Sequence, residues 1–232
     1  QVRPTQIANA LEELQKLAKG TQFSFSSGYT PAGDTDAAKI AEAVQNAKEA
    51  DVAIVFAGLP DIYESEGYDR KNIDMPEGHN QLIAEVAKVN KNVIVVLMNG
   101  AAVSMPWKND VKAIVEAYLG GQAGGGAVAD VLTGKVNPSG KLSETFPVRT
   151  EDTPTATDFP SKDGTATYGE GIFIGYRYYD KKKIEPNFPF GYGLSYTTFQ
   201  YSDIKASSTN AKDSDAITIS FKVKNTGAVA GK

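Results

Sequence analysis

Two short, unbroken apolar runs constrain the fold of this chain more than any other feature. Residues 52–56 and 93–97 have the length of strands and contain no polar side chain, which is typical of strands buried on both faces of a parallel sheet. Residues 111–118 offer a further strand. Because helix-patterned segments separate these runs, the sequence predicts an α/β fold, a three-layer sandwich in which helices flank a mostly parallel sheet.

The other elements are predicted from periodicity. Apolar residues recur at helical spacing in residues 5–19, 35–49, 81–89 and 126–132. This spacing predicts amphipathic helices. Phe23 and Phe25 alternate with small polar residues and predict a short strand. Residues 172–179 are rich in Ile, Phe and Tyr, so they are β-prone and too apolar to be left in water.

The last part of the chain has a different pattern. Residues 199–201 and 216–223 alternate apolar and polar side chains, as half-buried strands do. Two or three strands do not make a stable sandwich, and an immunoglobulin-like domain needs about 100 residues. We therefore expect residues 197–232 to begin a second β domain. We also expect the chain, which starts with Gln1 rather than Met, to be a piece of a longer protein.

Composition excludes several classes of function. The 232 residues carry a net charge of −4 without blocks of either sign, so neither nucleic acid nor a membrane is an expected partner. There is no cysteine, and His79 is the one histidine, which leaves no thiolate or multi-histidine metal site. We predict no metal and no cofactor. The compartment, cytoplasmic or secreted, stays open.

The feature that points to function is the long polar loop after the first buried strand, residues 59–78. Its acidic side chains include Asp61, Glu64, Glu66, Asp69 and Asp74. Strand-to-helix loops of α/β sheets usually take only a few residues, so one of this length is either functional or disordered. Because it leaves the carboxyl end of a buried strand, where open α/β sheets place their ligands, we favour function.

Within this loop Glu66 has the nearest charged neighbours in the sequence. Glu64 precedes it by two residues, Asp69 follows by three and Arg70 by four. Repulsion between carboxylates and partial burial both disfavour the charged form, so a Glu placed in this way can act as a general acid near neutral pH. Gly67 gives the backbone freedom to aim the side chain. The spacing alone does not choose between this interpretation and a solvated acidic loop.

Aromatic and glycine-rich features supply further candidates. Tyr63 and Tyr68 flank the acidic cluster, and their rings suit the apolar faces of a pyranose, so both are candidate substrate-binding residues. Residues 120–126 have the glycine content of a phosphate-binding loop but lack a following Lys-Ser/Thr pair. His79 is interpreted as a solvated or capping residue. Trp107 fits either sugar stacking or the core.

A series of short motifs resembles one known family. In chain order the motifs lie at residues 65–70 (Ser-Glu-Gly-Tyr-Asp-Arg), 120–122, 129–132, 134–142, 145–147, 175–180 and 190–196. Together they resemble the C-terminal half of glycoside hydrolase family 3, the β-glucosidases. On this resemblance, residues 1–196 are the family's α/β sandwich domain without its first strand. Residues 197–232 are then the first strands of a truncated fibronectin type III-like domain.

The resemblance implies a retaining mechanism with two carboxylates on two domains. In the family an Asp of a separate (β/α)8 barrel attacks the anomeric carbon, and a Glu of the sandwich domain protonates the leaving oxygen and then deprotonates water. Glu66 stands where that acid/base Glu stands, and Gly67, Asp69 and Arg70 match the surrounding motif as loop-shaping residues. The two carboxylates must stand about 5–5.5 Å apart, so the loop is expected to reach across an interdomain cleft.

The expected function follows from this resemblance. We expect part of an exo-acting β-glucosidase that removes terminal non-reducing β-D-glucosyl residues from a β-glucoside or a short oligosaccharide, as in polysaccharide catabolism. Its partner is the barrel of the same protein, and the chain alone is expected to be inactive. Two alternatives stay open: a non-catalytic carbohydrate-binding or scaffolding domain, and a nucleotide-binding α/β module that uses residues 120–126.

Overall fold

The structure, a computed structural model, describes residues 3–161 and 163–232 of the chain. In chain order its helices and strands are α1 (Ala10–Leu17), α2 (Ala37–Glu49), β1 (Ala53–Gly58), α3 (Glu77–Val89), β2 (Val93–Met98), β3 (Ala113–Glu116), α4 (Gly124–Leu132), α5 (Tyr176–Lys182), β4 (Phe199–Ala206) and β5 (Ile219–Asn225). Short 3-10 turns lie at Gly121–Ala123 and Thr150–Asp152.

The first three strands form one parallel sheet in the order β1-β2-β3. β2 lies in the centre, and Val93, Val95 and Leu97 on it have no exposed surface. An unbroken apolar run is needed at this position because helices or loops cover the strand on both faces. The predicted α/β sandwich with a parallel sheet is therefore confirmed, and the two apolar runs that predicted it are β1 and β2.

The core lies between the sheet and the helices that contact it. α3 contacts β1 and β2 and also packs on α2, and its Ile83 and Val86 are buried. Trp107 and Phe146 are the two largest fully buried side chains of the described residues. The indole Nε1 of Trp107 donates a hydrogen bond to Oδ1 of Asn80, 2.9 Å away. Burying apolar side chains of this size stabilises the fold by about 1.5–3 kcal/mol each.

Helix α1 is shorter than the predicted helix of residues 5–19. Its first residue is Ala10, because the side chain of Asn9 accepts hydrogen bonds from the backbone N–H groups of Leu11 and Glu12 and caps the helix there. The residues before the cap belong to a different contact, in which the N–H of Ala8 donates to the carbonyl of Gln122. The tertiary contact with the segment that leads into α4 thus replaces the first predicted turns of the helix.

Two strand predictions were wrong. Phe23 and Phe25 lie in a segment without strand structure, since no neighbouring strand in the described chain pairs with it, and Phe25 is exposed. In the segment 172–179 the chain forms helix α5 from Tyr176 onward. Before it, turns at residues 169–172 and at Gly175, whose φ of +54° is accessible mainly to glycine, take the place of the predicted strand. Ile172, which we expected to be buried, is 74% exposed.

The predicted C-terminal strands are present as an antiparallel pair, β4 and β5. Apolar side chains on this pair stay exposed, among them Tyr201, Ile204 and Phe221. The base of the pair is attached to the rest of the chain through Asn137, whose side chain donates to the carbonyl of Ala230 at 2.8 Å. That the pair opens a fibronectin type III-like domain stays a prediction.

Across residues 3–161 and 163–232, none of the helices combines the length and the hydropathy that a membrane span requires.

Candidate active site

The loop that joins β1 to α3 is tied down over its second half. The N–H of Ser104 donates to the carbonyl of Ile73 at 2.8 Å, and the Ser104 hydroxyl donates to Oδ1 of Asp74 at 2.7 Å. The N–H of Ile73 donates to Oγ1 of Thr150 at 3.1 Å. The second half of the loop is therefore ordered at the carboxyl edge of the sheet, which argues against the alternative of a disordered loop.

Glu66 lies at the tip of a tight turn within this loop. Ser65 and Tyr68 form an antiparallel bridge, so Glu66 and Gly67 occupy the two positions at the end of the turn. The hydroxyl of Tyr68 donates to the backbone carbonyl of Asp61 and closes the turn on the loop that precedes it. Glu66 is exposed, so its carboxylate is accessible from outside the domain at the carboxyl edge of the sheet.

The other predicted site residues surround this turn. Tyr63 and Arg70 are half-buried, Asp69 is exposed, and Tyr68 is 48% exposed. Oε2 of Glu64 accepts a hydrogen bond from the N–H of Gly100 at 2.6 Å. The structure therefore separates Glu66, which is exposed, from Glu64, which binds backbone. The partial burial that the sequence predicted for Glu66 is not present, because the residue lies at the tip of the turn.

Two functional candidates were missed in the sequence, Glu116 and Glu144. Glu116 ends β3 and accepts hydrogen bonds from the N–H of Tyr118 at 3.0 Å and from Nδ2 of Asn99 at 3.3 Å. Burial raises the pKa of Glu116 to about 7, and the charges of Glu144 and Glu64 act in the same direction. The signal was available, because Glu116 lies at the end of a predicted strand, on the same sheet edge as the loop.

Arg70 balances part of this charge. Its Nη1 donates to the carbonyl of Ala102 at 3.1 Å, and burial lowers its pKa, an effect that the charges of Glu64, Glu144 and Asp74 oppose. Burial raises the pKa of Glu144, while a hydrogen bond from the backbone of Ala102 and the charge of Arg70 lower it. One guanidinium thus stands among several carboxylates beneath the Glu66 turn.

The pKa of Glu116 predicts a pH-dependent contribution to stability. Because its folded-state pKa of about 7 lies above the ordinary value of 4.5, the unfolded chain loses this proton first as the pH rises. The free energy of unfolding then falls between pH 4.5 and 7, by on the order of 1–3 kcal/mol. In Glu116→Gln, which does not ionise, this part of the decline is absent. Urea unfolding at pH 4.5 and pH 8 measures it, and an equal decline in both proteins would contradict the assignment.

The remaining sequence candidates serve the fold. His79 is buried, its Nδ1 accepts from the N–H of Gly58 at 3.3 Å, and its ring centroid lies 3.8 Å from that of Tyr29. Burial lowers its pKa to about 4, so His79 is neutral near pH 7 and its interpretation as a solvated residue was wrong. Trp107, only 2% exposed, belongs to the core and offers no face to a sugar.

The glycine-rich turn before α4 is explained by close packing. A Cβ atom on Gly125 would lie 2.8 Å from the backbone nitrogen of Ala10, and one on Gly120 would lie 2.8 Å from Cα of Gly124. These distances are shorter than normal van der Waals contacts. The glycines therefore let the segment at the start of α1 approach the start of α4, which leaves no need for a phosphate ligand to account for them.

An open parallel sheet with an exposed carboxylate on an anchored loop at its carboxyl edge is characteristic of α/β domains that bring a polar group to a ligand. The particular domain is identified by comparison with family models. The chain belongs to glycosyl hydrolase family 3, because the model of the "Glycosyl hydrolase family 3 C-terminal domain" matches residues 1–196.

Individual relatives agree with this family. The chain is 53% identical over 234 residues to thermostable beta-glucosidase B of Acetivibrio thermocellus, covering 100% of the chain and 31% of that protein. It is 42% identical over 230 residues to the exo-alpha-(1->6)-L-arabinopyranosidase of Bifidobacterium breve, covering 98% of the chain and 30% of that protein. The crystal structure of the Bifidobacterium adolescentis GH3 beta-glucosidase superimposes with a TM-score of 0.89 at 43% identity, covering 98% of the chain and 33% of that structure. The chain therefore spans about a third of the length of these relatives.

Proposed function

We propose that the chain supplies the general acid/base, Glu66, to a retaining exo-β-glucosidase that hydrolyses terminal non-reducing β-D-glucosyl residues. The nucleophile in this proposal is an Asp of a (β/α)8 barrel in the same full-length protein, and the substrate is a β-glucoside or a short oligosaccharide. The observation that carries the proposal is the exposed position of Glu66 at the tip of an anchored turn. It lies in a chain whose whole length aligns with a relative named a beta-glucosidase.

In the first step the protonated carboxyl of Glu66 donates its proton to the glycosidic oxygen while the barrel Asp attacks the anomeric carbon and displaces the aglycone. In the second step the carboxylate of Glu66 takes a proton from water, whose oxygen attacks the anomeric carbon and releases the Asp. Both steps require the two carboxylates to stand about 5–5.5 Å apart. Only a carboxylate that projects from its own domain can meet this distance across a domain boundary, and Glu66 is exposed in this way.

The residues around Glu66 have supporting roles in this proposal. Tyr63 and Tyr68 border the sugar, and the hydrogen bond from the Tyr68 hydroxyl to the carbonyl of Asp61 holds that ring beside the turn. Gly67 and Asp69 shape the loop around Glu66. Arg70 does so as well, through its hydrogen bond to Ala102.

The proposal includes a division of the chain into two domains. Residues 1–196 form the α/β sandwich domain, and residues 197–232 contribute the first strands of a fibronectin type III-like domain. The exposed apolar side chains of β4 and β5, such as Ile204 and Phe221, support this division, because a two-stranded sheet needs further strands to cover such a surface.

The identity of the sugar is set mainly outside this chain. A relative that shares 42% identity over 98% of the chain is named an arabinopyranosidase, whereas another relative of the same region is named a beta-glucosidase. Similar sequences of this region therefore occur with different sugars. We therefore place most of the glycone pocket on the barrel.

The isolated 232-residue chain is expected to release no p-nitrophenol from p-nitrophenyl β-D-glucoside, whereas the full-length protein turns this substrate over. The reason is that the chain carries the acid/base but not the nucleophile, and retaining hydrolysis requires both. The assay is spectrophotometric, with calorimetry on glucose as its companion. Turnover by the pure chain would contradict the division of the site between two domains. Tight glucose binding by the chain would favour a carbohydrate-binding domain instead.

A further inference from the structure

The turn that carries Glu66 is tied on both sides to one segment, residues 99–102, which follows the central strand β2. Two residues before Glu66, Oε2 of Glu64 accepts from the N–H of Gly100 at 2.6 Å. Four residues after Glu66, Nη1 of Arg70 donates to the carbonyl of Ala102 at 3.1 Å. Each of these bonds joins residues more than thirty positions apart in the chain, so together they hold the base of the turn against the sheet edge.

Buried contacts hold this anchoring segment in place. Nδ2 of Asn99, which is fully buried, donates to the carbonyl of Ala101 at 2.9 Å and to Oε2 of Glu116 at 3.3 Å. Leu97, on the strand that leads into the segment, is fully buried as well. Since both ends of the Glu66 turn are bound to a segment that the core holds, the position of the turn is determined by the sandwich domain.

We propose that Glu64 is a positioning residue: its hydrogen bond to the backbone N–H of Gly100 sets the place from which Glu66 reaches the substrate. This inference rests on the proposed role of Glu66. It assigns to the neighbouring carboxylate a structural task within the same site, and it separates the two glutamates of the Glu-Ser-Glu motif by function.

The geometry at Gly100 supports this assignment. A Cβ atom placed on Gly100 would lie 3.2 Å from Cδ, Oε1 and Oε2 of Glu64, which is closer than the usual contact of a methyl group. The carboxylate therefore lies directly against the backbone at a residue without a side chain. A short hydrogen bond from a backbone N–H to a carboxylate is stronger than one between neutral groups. The Glu64 carboxylate is thus directed to the backbone of Gly100, where it accepts a hydrogen bond.

The test compares Glu64→Ala with Glu64→Gln in the full-length protein. The amide oxygen of Gln can still accept from Gly100, whereas the methyl group of Ala cannot. We expect Glu64→Ala to lower kcat for phenyl β-D-glucoside by about 10–100-fold with a smaller change in KM, because a displacement of about 1 Å in a catalytic group costs up to about 100-fold. Glu64→Gln is expected to recover most of this loss. Lys71→Ala, at an exposed position of the same loop, serves as the control.

Two readouts separate this inference from the proposed function. Amide hydrogen exchange of residues 65–68 should become faster in Glu64→Ala and keep its original rate in Glu64→Gln, whatever reaction the protein catalyses. Unchanged exchange in Glu64→Ala would overturn the inference. If Glu64 were itself the proton donor, Glu64→Gln would lose as much activity as Glu64→Ala, and azide would restore turnover of Glu64→Ala. Failure of the proposed function would instead be seen in Glu66→Ala, which would then give no glycosyl azide.

Discussion

Replacing Glu66 by alanine in the full-length protein should lower kcat for phenyl β-D-glucoside by about 100- to 10,000-fold, the range that general acid catalysis contributes. Phenol is a poor leaving group and needs the proton that Glu66 donates. With 2,4-dinitrophenyl β-D-glucoside the leaving group departs without protonation, so the loss in the first step should be much smaller. Steady-state kinetics on this pair of substrates measure the difference.

Azide distinguishes an acid/base from a residue that only supports the fold. In Glu66→Ala the carboxylate is missing, so the small anion can enter its place and attack the glycosyl-enzyme, which needs no base. We expect added azide to raise turnover of the dinitrophenyl substrate and to give a β-glycosyl azide, whose β configuration follows from the two displacements. Glu77→Ala, which removes another exposed carboxylate at the border of the same loop, should show neither effect. Absence of the azide product from Glu66→Ala would show that another residue is the acid/base.

Replacing Trp107 by alanine should lower the free energy of unfolding of the chain by about 3–5 kcal/mol, the usual cost of deleting a large buried aromatic side chain. Trp107 is 2% exposed and lies in the same buried cluster as Ile83 and Val103. Its loss removes dispersion contacts on several sides and leaves a cavity that rigid neighbours close only in part. It also leaves Oδ1 of Asn80 without the indole N–H.

Trp107→Phe is the matched control for this effect. Phenylalanine keeps most of the apolar contacts but lacks the N–H, so we expect a loss of about 1–2 kcal/mol, close to the value of one hydrogen bond plus a small cavity. Urea unfolding followed by circular dichroism at pH 7 gives both values. A loss below about 1 kcal/mol in Trp107→Ala would mean that the side chain is not part of the core. It would reopen its interpretation as a sugar-stacking residue.

Much of the fold was predictable because apolar periodicity reports burial directly. The run that became β2 is largely buried, whereas in the run that became β1 only Val55 is buried and Val52 is 48% exposed. The helix predicted at residues 35–49 is α2, Ala37–Glu49. The two wrong strand predictions have one cause. Residues 172–179 have the composition of a strand, but a strand exists only where a second strand offers hydrogen bonds, and local composition does not say whether one is nearby.

The candidate site divides in the same way. The length of the loop, its position after a buried strand and the motif around Glu66 were visible in the sequence. The partners of that loop were not visible. Gly100 has no side chain, Ala102 has only a methyl group, and both bind the loop through their backbone. Glu116 and Glu144 could be counted as acids, but only packing places Glu144 near both Arg70 and Glu116, and burial is the main cause of their raised pKa.

By itself, then, the sequence determined the parallel sheet, the place of the acidic loop at its carboxyl edge, and the resemblance of this loop to that of family 3. Only the tertiary structure decided that Glu66 points outward while Glu64 binds the backbone of Gly100. The physical reason is one of range. Burial of a strand or helix face depends on residues only a few positions apart, so the sequence pattern shows it. A carboxylate and a backbone N–H thirty-six positions away meet only when the sheet has brought the ends of β1 and β2 together.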